Sequence, residues 1–156
     1  MFTLDKDGIE PTMFISKKWV GEINTYLSRC NVYSGHVRRA GNNRPSKIGD
    51  NPADCYSLED MMMAPYILDL AIMYSPVAQE YLGTPTVYLY SINIFNTYPT
   101  NSPPIGYIQE FHRDSDDVKF VAMFVYLTDI LEMKDGPHQY ILGTHTGLDM
   151  ARPQTV

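Results

Sequence analysis

The sequence predicts an α+β domain with a mainly β core, helices first and strands second, whose sheet curls into a barrel or jelly roll. Three observations carry this expectation. Apolar residues at helical spacing follow a capping serine near the start, two long β-type runs occupy residues 87–96 and 118–130, and the Asp135-Gly136 turn dipeptide follows the second run.

Ile15, Trp19, Ile23, Tyr26 and Leu27 recur at helical spacing behind Ser16, which predicts an amphipathic helix with Ser16 as N-cap. Residues 31–55 then turn rich in Gly, Asn, Pro and basic side chains, His36, Arg38, Arg39, Arg44 and Lys47 among them. A connection of that length and composition reads as a surface loop, with a substrate-facing lid as the functional alternative. Ser57 with Asp60 has the spacing of a capping box, Pro65 suits the first turn of a second short helix, and Ser75-Pro76 opens a third that Gly83 ends.

The β half begins at Thr86. In residues 87–96 the even positions Tyr88, Tyr90, Ile92 and Ile94 form an apolar face, while the odd face mixes Val87 and Leu89 with Ser91 and Asn93. Ser91 and Asn93 are candidates to meet a small polar ligand or cofactor, or else they face solvent. Residues 98–106 form a Pro-rich loop. The run 118–130 is apolar on both faces and dense in Val, Phe and Tyr, so a central buried strand is expected, with 137–142 returning from the Asp135-Gly136 turn. The chain thus reads as one domain over 1–156, with a helical part over 1–84 and a β part over 85–156.

Composition narrows the function classes. With 156 residues, 44% hydrophobic and 19% charged, the chain is long enough to bury a core. A net charge of −6 argues against a broad nucleic-acid or anionic-membrane surface. No apolar run approaches membrane-spanning length, the opening Phe2-Thr3-Leu4-Asp5-Lys6-Asp7 is too polar to target or anchor the chain, and Cys30 and Cys55 are expected to be free thiols in a cytoplasmic protein.

The residues that carry chemistry lie in Gln109-Glu110-Phe111-His112-Arg113-Asp114. On an extended backbone side chains two apart share a face, so His112 and Asp114 can bind one metal ion while Arg113 points away. An imidazole and a carboxylate so placed are two thirds of a 2-His-1-carboxylate facial triad. Asp116 and Asp117 read as a solvated acidic turn, and His138 as a structural or exposed residue beside the hairpin turn.

Three further phrases surround this one in order. Ser75-Pro76-Val77-Ala78-Gln79-Glu80-Tyr81-Leu82-Gly83-Thr84-Pro85 precedes it, Phe124-Val125-Tyr126-Leu127-Thr128-Asp129 follows, and Asp135-Gly136-Pro137-His138-Gln139-Tyr140 runs into Gly143-Thr144-His145. Together they resemble the phytanoyl-CoA dioxygenase family of Fe(II)/2-oxoglutarate-dependent oxygenases, over about half the chain. The resemblance implies a double-stranded β-helix, also called cupin-like, of which 85–156 would be the first part. It implies Fe(II) held by His112, Asp114 and a second histidine, with 2-oxoglutarate as cosubstrate gripped by an arginine, and hydroxylation of a small organic substrate.

In the family the second histidine and the arginine follow the phrase seen here as Gly143-Thr144-His145, and this sequence stops at Val156 before either. A piece of a longer oxygenase, or a shortened relative with impaired iron chemistry, is therefore expected. His145 is the candidate third ligand within the chain, although the resemblance places its phrase in a loop at the mouth of the site. Arg113, Lys119 and Arg152 do not replace the missing arginine. The alternative is a catalytically inactive small-molecule-binding or oligomeric β-sandwich module, pairing with a second copy through an open sheet edge.

Overall fold

A computed structural model describes residues 3–11, 15–34, 53–98 and 119–145. In chain order the elements are α1 (Leu4–Asp7), α2 (Lys17–Leu27), β1 (Val32–Ser34), β2 (Ala53–Tyr56), α3 (Leu58–Met63), α4 (Ile67–Leu82) and β3 (Phe95–Thr97), followed by a 3₁₀ turn at Met133–Asp135. Among the described residues no helix is long and apolar enough to cross a membrane.

Helix α2 forms where its pattern places it. Ser16 is the N-cap, its Oγ accepting from the Lys18 amide at 3.2 Å, and the apolar stripe buries Ile23 and Leu27 completely or nearly so. Each such side chain contributes roughly 1.5–3 kcal/mol by leaving water. Helix α3 is capped by Ser57, whose Oγ accepts from the Asp60 amide at 3.0 Å and donates to Asp60 Oδ2 at 2.6 Å. The reciprocal box expected from the spacing is thus closed side chain to side chain.

Helix α4 departs from expectation, because one 16-residue helix runs where two short ones were expected. Pro76 lies inside it and has no amide to give the Ile72 carbonyl. The Ser75 hydroxyl donates to that carbonyl instead, at 2.8 Å, which removes the reason for the helix to stop. It ends at Gly83 (φ 68°), where the Gly83 amide reaches Glu80 O and the Thr84 amide reaches Gln79 O, a Schellman closure that needs the left-handed conformation glycine adopts without cost. Pro65 does not open this helix. The residue before Ile67 is Tyr66, at φ 62°. That conformation costs on the order of 1–2 kcal/mol for a side chain with a Cβ. It is offset by a 2.5 Å bond from the Tyr66 hydroxyl to Glu22 Oε2 and by parallel stacking on Trp19 at 4.6 Å.

The sheet of the described residues has three antiparallel strands in the order β1-β2-β3, with Val32 opposite Tyr56, Tyr33 opposite Cys55 and Cys55 opposite Phe95. Strands β1 and β2 are the two ends of the segment expected as a loop over 31–55; its interior, residues 35–52, lies outside the described residues, and with it the lid alternative. Ile23, Leu27, Val32, Tyr56, Met61, Ala64, Leu70 and Ile94 form one core between α2, the sheet and α3–α4.

The two expected long strands are not laddered. Of residues 87–96, only the end enters a strand, as β3, and the amide of Ile94 just before it is bonded to Met61 Sδ. Over 119–130 no residue belongs to a strand. Burial there alternates, with Val125 and Leu127 packed on the core and Phe124 and Tyr126 exposed, so one face is covered where two were expected. The Leu127 carbonyl accepts from Asn24 Nδ2 at 2.7 Å, so a helix side chain takes the position a neighbouring strand would hold. Asp135-Gly136 does turn the chain: Asp135 Oδ2 accepts from the amides of Leu131 and Glu132, and Gly136 is left-handed at φ 71°. Residues 137–142 return from it without a strand partner among the described residues.

Ser57→Ala removes the cap of α3 and is expected to cost about 1 kcal/mol, read as a lower urea midpoint at unchanged slope. A midpoint unchanged within error would show that the cap adds nothing to the stability of the fold.

Candidate functional site

Of the sequence-derived metal pair, His112 and Asp114 both lie outside the described residues, as do His36, Arg113, Asp116, Asp117, Arg152 and most of the Pro-rich loop over 98–106. His145 is described. It closes the turn Leu142–His145, in which Gly143 is left-handed at φ 73°. That turn packs on the end of α1, an element too short and polar to be expected from the sequence. The last carbonyls of a helix have no partner within it. Here the Gly143 amide donates to Asp7 O at 2.9 Å and His145 Nε2 lies 3.1 Å from Asp5 O. A carbonyl can only accept, so Nε2 carries a proton and donates it.

His145 is the expected third iron ligand within the chain. Nε2 is committed to a backbone carbonyl, and Nδ1 is buried against Gly8 with no hydrogen-bond partner. Among the described residues no three His, Cys, Asp or Glu side chains come together as a metal site. His112 and Asp114 lie outside that set, so the grouping expected of them with His145 is not among the described residues.

Ser91 and Asn93 are both exposed, and Asn93 Nδ2 donates to Ser91 Oγ at 3.1 Å. They share a face as the alternation requires, yet that face is open to solvent. His138 is exposed, its ring stacked on Phe124 at 4.2 Å and its amide bonded to the Tyr126 hydroxyl. Lys119 is bound to the carbonyl of Tyr81 and lies over that ring, 4.1 Å from its centre, so it anchors the end of α4.

Two polar clusters were not evident in the sequence. The first is on the sheet, where Asp54 is fully buried in β2 opposite Asn96, and Asn96 Nδ2 donates to the Tyr56 hydroxyl at 2.8 Å. Tyr98 Oη is buried beside them. Burial, and then the charge of Asp54, push the Tyr98 phenol above its usual range. The second gathers Tyr81, Tyr140, His145 and Asp5, where burial followed by the charges of Asp5 and Tyr140 raises Tyr81. The alternating pattern of Ala53-Asp54-Cys55-Tyr56 was a signal for the first, masked by the loop-like residues before it.

Cys30 and Cys55 are not joined in a disulfide, and burial, then the charge of Asp60, raise the Cys30 thiol, which keeps it protonated at neutral pH. Compared with protein-family models, with curated proteins and with solved structures, the chain matches none.

Four phenols carry a pH dependence. Tyr66 is raised chiefly by its bond to Glu22, while Tyr26, Tyr81 and Tyr98 are raised first by burial. A phenol whose folded pKa exceeds the unfolded value near 10 adds stability that is complete below pH 10 and lost as pH rises through the folded value. In a titration at 295 nm these four should ionise later in the folded chain than in urea, and Tyr98→Phe should remove one late step. Superimposable folded and unfolded curves would refute the placement of these hydroxyls.

Proposed function

We propose that this chain belongs to a non-haem Fe(II)- and 2-oxoglutarate-dependent dioxygenase that hydroxylates a small organic substrate, of the kind the phytanoyl-CoA dioxygenase resemblance implies. The observation that carries the reading is the ordered set of four phrases around His112-x-Asp114. Two of those phrases include glycines, Gly83 and Gly143, that occupy left-handed turns, which accounts for glycine at those points in them.

The chemistry that bound iron and 2-oxoglutarate supply is transfer of one oxygen atom of O₂ to a substrate C–H bond and of the other to succinate, with loss of CO₂. The part of this chain's residues is to hold and exclude. His112 and Asp114 would provide one nitrogen and one carboxylate donor, and the resemblance implies a second histidine as the third. A cytoplasmic setting agrees with two cysteines that are not joined in a disulfide.

One observation favours a second reading, a non-catalytic binding or oligomeric module. Leu58, Met62, Met63, Leu68, Ile72 and Met73, all on the short segment α3–α4, are exposed apolar side chains that a partner could cover.

Anaerobic titration of the purified chain with Fe(II) and 2-oxoglutarate separates the two. The oxygenase reading expects the visible charge-transfer band of a chelated keto acid, lost in Asp114→Ala. A folded chain that gives no band but binds Fe(II) through Asp114 is the oxygenase piece that the missing histidine and arginine imply, whereas a folded chain whose Fe(II) binding Asp114→Ala leaves unchanged overturns that reading in favour of the second.

A further inference from the structure

We propose that the N-terminal segment Thr3–Gly8 is a releasable strap that gates access to His145 and Tyr140. The proposal rests on contacts among described residues and stands whether or not the chain is an oxygenase.

The segment is internally built to hold one shape. Thr3 caps α1, its side chain accepting from the Lys6 amide, while the Thr3 amide donates back to Asp7 Oδ2 at 3.0 Å. Gly8 ends the helix at φ 75°, its amide on Leu4 O at 3.0 Å. Yet α1 buries no residue, so no apolar side chain nails it to the core. Its described hydrogen bonds to the rest of the chain are the two from the turn, Gly143 amide to Asp7 O and His145 Nε2 to Asp5 O. Two such bonds contribute about 0.5–1.5 kcal/mol each, far below the stability of a domain. A segment so attached opens locally without unfolding of the core.

Closed, it leaves neither imidazole nitrogen of His145 available. Nε2 is used by Asp5 O, and Nδ1 is buried without a partner. Gly8 is what permits this closeness. A Cβ there would stand 2.5 Å from His145 Nδ1 and nearer still to the Tyr140 hydroxyl, on a backbone already in the left-handed region. Any ligand that uses His145 therefore has to displace the strap first, and Gly8 is the position where closure can be blocked.

Two measurements test it. In the unaltered chain, hydrogen exchange should release the amides of Asp7, Gly8 and Gly143 together, at least about ten-fold faster than those of Ile23 and Leu27 in α2. With diethyl pyrocarbonate, read residue by residue by mass spectrometry, His145 should react about ten-fold more slowly than exposed His138, and Gly8→Ala should bring the two within about two-fold while the circular dichroism of the helices is kept. Thr3→Ala, which only weakens the cap, should fall between. The proposal is overturned if strap and α2 amides exchange at one rate, if His145 already reacts like His138, or if both variants leave it protected.

Discussion

Four residues of β2 hold the fold together. Ala53–Tyr56 is paired on both sides, to β1 through Tyr56, Cys55 and Asp54 and to β3 through Ala53, Asp54 and Cys55. The pairing fixes the face of each side chain, since a slip of one residue would exchange the face of Cys55 with that of Asp54 and Tyr56, and all three are buried. It sets Val32 opposite Tyr56 and brings Ile94, one residue ahead of β3, into the same core as Ile23 and Leu27 of α2. Helices α3 and α4 follow β2 directly and close that core with Met61, Ala64 and Leu70. Asp54 is the cost of this position. A fully buried carboxylate is tolerated only inside a polar surround, and Tyr56, Asn96 and Tyr98 gather on that part of the sheet.

The helical part was largely legible in the sequence because its signals are local. Ser16 and the Trp19–Ile23–Leu27 stripe of α2, Ser57 with Asp60 at α3, and Gly83 at the end of α4 all act within a turn or two. Local signals misled where a distant or unusual bond decided. Ser75-Pro76 reads as a helix start unless the serine hydroxyl takes over the Ile72 carbonyl, and nothing in the sequence says that it will. Strands β1 and β2 were hidden because each spans only three or four residues at the ends of a loop-like stretch, and their pairing with each other supplies what neither shows alone. Helix α1 lacks any apolar periodicity to read.

The candidate site divides along the same line. His112-x-Asp114 is legible as a candidate pair because its spacing alone suggests it, and both residues lie outside the described ones. The role of His145 is not, because it depends on α1, 140 residues away along the chain. Ser91 and Asn93 illustrate the limit of alternation as a guide. The pattern fixes that they share a face, while the surroundings of that face are decided by whatever packs there, and here they bond to each other at the surface.

The stack of Trp19 on Tyr66 has a use beyond stabilising a strained backbone. Trp19 is the single tryptophan of the chain, and its indole lies flat on the phenol at the hinge between α3 and α4. Tyr66 is in turn tied to Glu22, one helical turn along from Trp19. Tryptophan emission, excited beyond the absorption of the twelve tyrosines, is therefore a one-site signal. It reports the seating of Tyr66, at the start of α4, against α2, so an optical transition followed in that emission describes first of all one joint of the molecule.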